Sequence, residues 1–218
     1  MRVRSIDELE GIIFHEYSWR RKELTNIRNL TLSSKSHIKN TLLKCSLNLL
    51  YSHWEGFVKK VSIAYFDYLN FQGLCYQDLN KNFHVCALIN DFQGQYPPKN
   101  FMSSYNIVTG KSIRMGEKLR INSEKYIDTR SNLNSEVLKE LTQKIGISYA
   151  FYELKENLID EKFLGLRNAI SHGEYRIIEE EDFVVIYEEI ISLIDIFKNQ
   201  ISNSVIQKEY LAASTSLV

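Results

Sequence analysis

Proline is nearly missing: the chain has two in 218 residues, and both stand together as Pro97-Pro98. Long stretches on either side are free of the residue that most reliably breaks a helix. Glycine is sparse too, with nine in all, and no glycine-rich or proline-rich tract marks a linker. Residues 1–218 are therefore expected to form one domain. The three cysteines, Cys45, Cys75 and Cys86, include no C-x-x-C pair and have no histidines at zinc-ligand spacing. They read as buried thiols in a reducing cytoplasm. No apolar run approaches the roughly 20 residues needed to span a bilayer, and the first residues lack the charged-then-apolar pattern of a secretion signal. The expectation is a soluble, cytoplasmic protein with no membrane contact. An excess of one charge is also lacking, because 27 basic residues face 27 acidic ones. A surface for nucleic acid must then be a local patch, since the overall field does not attract polyanions.

What the chain does have is helical periodicity. Ser5-Ile6-Asp7-Glu8 is a capping-box pattern, and Ile6, Leu9, Ile13, Tyr17, Leu24 and Ile27 mark one face of a helix to about Leu30. After a turn at residues 33–36, with Ser36 as N-cap, apolar residues from Ile38 to Tyr68 recur at helical spacing without a proline. A helix from His37 to about Asn70 would be roughly 50 Å long, enough to be the spine of a bundle. Gly73 interrupts it, and Leu79, Phe83, Cys86 and Ile89 suggest a shorter helix ending near Asn90. Between Gly94 and Arg130 the periodicity fades, which predicts an irregular insertion with extended pieces around Lys118 to Ile121 or Lys125 to Ile127. Asn134 and Gly146 bracket another helix. Asp160 reads as the N-cap of the next one, and Asp182 as the cap of a last helix along Ile186, Ile190, Leu193, Ile194, Phe197 and Ile201. The fold class is all-α, a helical bundle with a long central helix and an irregular insertion.

The stretch Arg167-Asn168-Ala169-Ile170-Ser171-His172-Gly173 concentrates polar chemistry at the end of an apolar helix, where Gly173 would stop it. On a helix Asn168 and His172 share a face, while Arg167 lies roughly 100° round and can wrap towards the histidine. The trio offers a guanidinium fork for phosphate oxygens, an amide to orient it, and an imidazole that titrates near neutral pH. That kit suffices to cleave RNA without a metal. A general base draws the proton from a 2′-hydroxyl, and a cation offsets charge growing on the attacked phosphate. One histidine cannot easily be both base and acid in one step, and a symmetric dimer would supply a second.

Arg167-Asn168, three further residues and then His172 resemble the R-N-x-x-x-H signature of the HEPN superfamily. The segment from Tyr51 to Lys60, the Ser131-Asn132-Leu133-Asn134 helix start and residues 167–175 are similar to its bacterial RiboL-PSP type. The resemblance implies a HEPN-like bundle in which Arg167 and His172 are catalytic and Asn168 supports them. It implies action as a homodimer with the motif helices meeting across a two-fold axis, an RNA substrate, no metal or other cofactor, and an antitoxin or defence-system partner. In a related subgroup a tyrosine two residues after the histidine is nucleotidylated. Glu174 stands there in this chain, which argues against that control.

Two further residues are candidates for support. Glu55 on the long helix would orient His172 or Arg167, and His53 would line an RNA groove, whereas Trp54 between them has the spacing of a core residue. Gly56 would let a neighbour approach closely, at about 1 kcal/mol in helix propensity. The leading expectation is a metal-independent endoribonuclease, a toxin or antiviral effector. The alternative is a catalytically silent HEPN module for dimerisation or ligand binding with a partner protein, which the balanced charge favours.

Overall fold

A computed structural model describes residues 2–91 and 115–212. Helix α1 spans Ile6–Leu32, and the Ser5 side chain accepts the Glu8 N–H to cap it. The Glu8 carboxylate reaches back to the backbone N–H of Arg4 rather than to the cap residue, at 2.7 Å. Helix α2, Ser36–Gln72, begins one residue earlier than expected, with Lys35 at the N-cap. Its 37 residues make it about 55 Å long, and Gly73 ends it in the left-handed region at φ 66°. Three- and four-residue steps bury Leu43, Leu47, Leu50, Trp54, Phe57, Val61 and Tyr65, the stripe that makes this helix the spine.

The last helix, α8, spans Glu180–Ile206. It runs parallel to α2, because contacts join residues at a near-constant offset: Lys39 to Glu180 at 2.6 Å, Phe57 to Phe197 edge to face, and Tyr65 to Ser204 at 3.1 Å. Helix α1 lies against both, tied to α8 by Arg28 and Glu188 at 3.1 Å. The start of α8 departs from expectation. Glu179 is the N-cap, and Asp182 lies inside the first turn with Glu180 and Glu181, where the carboxylates complement the helix dipole.

Smaller elements close the lower end. A 3₁₀ turn, Tyr76–Asp78, and helix α3, Lys81–Asp91, follow Gly73. The expectation of extended chain near Lys118 holds, since Lys118 forms an antiparallel bridge with Cys75. That near Lys125 does not. Residues Ser123–Tyr126 form a single turn, α4, because the Asn122 side chain accepts the Lys125 N–H and supplies a cap. Leu119, Ile121, Tyr126 and Ile127 are buried, so this side of the insertion belongs to the core. Pro97-Pro98 and the rest of residues 94–114 lie outside the described residues. Helix α5, Ser135–Ile145, starts at Asn134 and stops at Gly146, φ 85°, as its sequence requires. One turn, α6, follows at Ala150–Glu153.

Among the described residues two isolated bridges form and no strand, and no helix is long and apolar enough to cross a membrane. The thiols differ from their expected burial. Cys86 is buried and Cys75 half-buried, but Cys45 is exposed, because it falls on the outer side of α2.

Candidate functional site

The motif sits on a helical segment that is not a simple α-helix. Leu158–Gly165 winds as a π-helix and passes directly into α7, Leu166–Ser171. A wide turn of this kind leaves side chains at positions that a regular helix would not offer. Asp160 is inside the segment and does not cap it. Its carboxylate oxygens accept instead the backbone N–H of Ser135, at 2.7 Å, and the Ser135 hydroxyl. The acid therefore caps α5, 25 residues upstream, and clips the two helices together.

Ile159, Phe163 and Leu164 are buried, and Leu166 and Ile170 pack on the core from its margin. That apolar side holds the polar residues at the surface. Arg167 is half-buried, and its Nη1 donates to Asn168 Oδ1 at 2.7 Å. Its guanidinium carbon lies 4.0 Å from the centroid of the Tyr51 ring, a cation–π distance. His172 is exposed at the C-cap. Gly173, φ 77°, donates to Ile170 O at 3.1 Å and Glu174 to Ala169 O at 2.9 Å, the paired bonds of a Schellman stop. Among the described residues no hydrogen bond joins Arg167 to His172, and the imidazole is left facing solvent.

Beyond the stop the chain has no regular structure and is pinned to α2. Ile178 N–H donates to Asn40 Oδ1 at 3.2 Å, and Lys44 lies over the ring of Tyr175, which is 84% exposed. Glu174 is engaged with Arg176 at 2.8 Å. Lys59 and Lys60 are exposed.

A family model described as RiboL-PSP-HEPN matches residues 15–203, which takes in the latter two thirds of α1, the spine, the motif and nearly all of α8. The chain belongs to the RiboL-PSP-HEPN family. No curated protein and no solved structure gives a significant match.

Within this HEPN domain the residues expected to support Arg167 and His172 fall in different places. Asn168 touches Arg167 directly. Glu55 stands one turn along α2 from Tyr51 and accepts the Thr129 hydroxyl at 2.5 Å. It also lies beside the Tyr51 hydroxyl and helps to raise its pKa, after the larger effect of burial, to about 12. Tyr51 thus meets Arg167 with its ring and feels Glu55 at its hydroxyl. His53 is placed elsewhere. Two residues from Tyr51, it points to roughly the opposite side of the helix, is 4% exposed and packs on α1. Its Nδ1 is 3.3 Å from Arg20 Nη1 and its Nε2 2.7 Å from Glu23, with Trp19 edge-on at 5.1 Å. The neighbour that Gly56 admits is this same arginine, since a Cβ there would stand 2.9 Å from Arg20 Nη1.

Tyr51 and Thr129 are the residues that sequence reasoning missed. Tyr51 has the spacing of a core aromatic, and nothing local in the sequence pairs it with an arginine 116 positions later. Among the described residues no group of three His, Cys, Asp or Glu side chains is arranged to hold a metal ion.

Proposed function

We propose that this HEPN chain is an endoribonuclease that needs no metal and cuts RNA through a ribose 2′-hydroxyl. It works as a cytoplasmic homodimer, as a toxin or antiviral effector held by an antitoxin or a defence-system partner. The observation that supports this best is the pairing on one short helix of a guanidinium fixed against Tyr51 and Asn168 with an exposed imidazole at the helix stop. The first is suited to a phosphate group and the second to proton transfer.

In the proposed reaction His172 takes the proton of the 2′-hydroxyl. That oxygen bonds to the adjacent phosphorus as the bond to the 5′-oxygen breaks. Arg167 offsets the charge gathering on the non-bridging oxygens. The departing oxygen receives a proton from a second imidazolium, His172 of the other copy. The products are a cyclic phosphate on one fragment and a free 5′-hydroxyl on the other.

The test is incubation of the purified chain with structured and unstructured RNA in EDTA. Cleavage should persist with the chelator and fall about a hundredfold or more in His172→Ala and Arg167→Ala. Loss of cleavage on chelation, or full activity in both variants, sinks the reading. The balanced charge, 27 basic against 27 acidic residues, favours a second reading, a catalytically silent module for dimerisation or ligand binding. Expression in a bacterium separates the two: toxicity abolished by His172→Ala belongs to the nuclease, and a harmless chain that still dimerises to the module.

A further inference from the structure

Arginine has four side-chain torsions and is costly to immobilise, so a guanidinium poised for phosphate needs something rigid beneath it. We infer that Tyr51 is the positioning residue of Arg167, a role that rests on the ribonuclease reading above. Two side chains of the motif segment, four residues apart, close on its ring. Arg167 lies 4.0 Å over the centroid, and the Phe163 ring is 5.8 Å away.

The ring itself is locked from its far end. Tyr51 is 2% exposed, and its hydroxyl accepts the Leu133 N–H at 2.7 Å. Glu55 lies beside that hydroxyl and is held in turn by Thr129. The loop that supplies Thr129 and Leu133 turns through Arg130 and Ser131, both left-handed at φ 54° and 51°. Non-glycine residues adopt that region only when the surroundings impose it. The tight turn brings Thr129 and Leu133 to neighbouring residues of one face of α2.

A guanidinium held over an aromatic face by its flat side keeps its in-plane N–H groups available. One of them is spent on Asn168; the others can meet phosphate oxygens. A carboxylate in the same place would occupy those donors and cancel the charge. Tyr51 supplies the guanidinium with a neutral support in place of a salt bridge.

The experiment compares the full chain with Tyr51→Phe and Tyr51→Leu, using an RNA oligomer and the Arg167 side-chain signal in proton–nitrogen correlation spectra, assigned through Arg167→Lys. In the wild type and in Tyr51→Phe that signal should carry the upfield ring-current shift of a group lying over an aromatic face. In Tyr51→Leu it should return to the ordinary arginine position. Loss of the ring should lower kcat about tenfold with a smaller change in KM, while Tyr51→Phe, which keeps the ring and loses only its bond to Leu133, should lower kcat by less. A folded Tyr51→Leu with wild-type kcat overturns the positioning role. So does an unshifted Arg167 signal in the wild type, which decides the matter even where Tyr51→Leu does not fold. A wild-type chain that cuts no RNA sinks the ribonuclease reading and the catalytic part of this one together. An active wild type indifferent to Tyr51→Leu sinks this one alone.

Discussion

Asp160 and Ser135 are joined twice, the carboxylate accepting both the backbone N–H and the hydroxyl of the serine. Through this pair the π-helical turn before the motif is fixed to the start of α5. Asp160→Ala should remove about 1–2 kcal/mol of stability, because a half-buried N–H loses its charged acceptor and α5 loses an acid at its N-terminus. Thermal unfolding measures it, with a fall in Tm of about 2–4 °C per kcal/mol for a chain of this size. An unchanged Tm would mean that Ser135 finds another acceptor.

Gly173 supplies the helix stop that leaves His172 at the surface. No atom lies within 4 Å of a Cβ built there, but its φ is +77°, so the cost of a side chain is conformational rather than steric. Gly173→Ala should destabilise by about 1–2 kcal/mol in urea unfolding, and Gly173→Asn by less, since asparagine tolerates this region better. Equal losses for the two would point to a clash instead.

His53 should make stability depend on pH in acid. Burial, and then the Arg20 cation, hold its pKa below the ordinary value of 6.5 against the opposing pull of Glu23. The unfolded chain therefore binds a proton more readily than the folded one. The stabilisation is fully present above the unfolded value and is lost as pH falls below it towards the folded pKa. Denaturant midpoints followed downward from neutral pH should fall, and His53→Gln should flatten that part of the slope. A slope that is the same in both proteins would exclude His53 as its source.

The thiols should react in order of exposure. Cys45 is exposed, whereas burial pushes the Cys86 thiol up to about 11, and reactivity follows the thiolate. A maleimide label on the native protein, located by peptide mass, should appear first at Cys45 and reach Cys86 only on unfolding. Early labelling of Cys86 would indicate local opening of α3.

What could be read from the sequence is what a few consecutive residues decide. Ser5 and Asn134 cap helices, Gly73, Gly146 and Gly173 end them, and a run without proline carries α2 through 37 residues. Each follows from backbone torsions and from hydrogen bonds that reach three or four residues along the chain. The start of α8 is the instructive miss. Of the acids from Glu179 to Asp182 only Asp182 is a preferred N-cap type, yet the cap falls three residues earlier, at Glu179, with no side-chain bond, and the contact of Glu180 with Lys39 belongs to packing, not to local pattern.

The candidate site divides the same way. Arg167, Asn168 and His172 are legible because their chemistry and their one-helix spacing lie within six residues. The sequence by itself determined that such a trio ends a helix in an all-α chain. Only the tertiary structure decided what stands behind it. Asp160, eligible on its own as a cap, serves a helix 25 residues upstream. His53 turns to α1, since two residues along α2 reverse the direction of a side chain. Tyr51, anonymous among core aromatics, comes to lie beneath Arg167. Periodicity says which face of a helix is buried, but which residues meet there depends on how distant helices are brought together in packing.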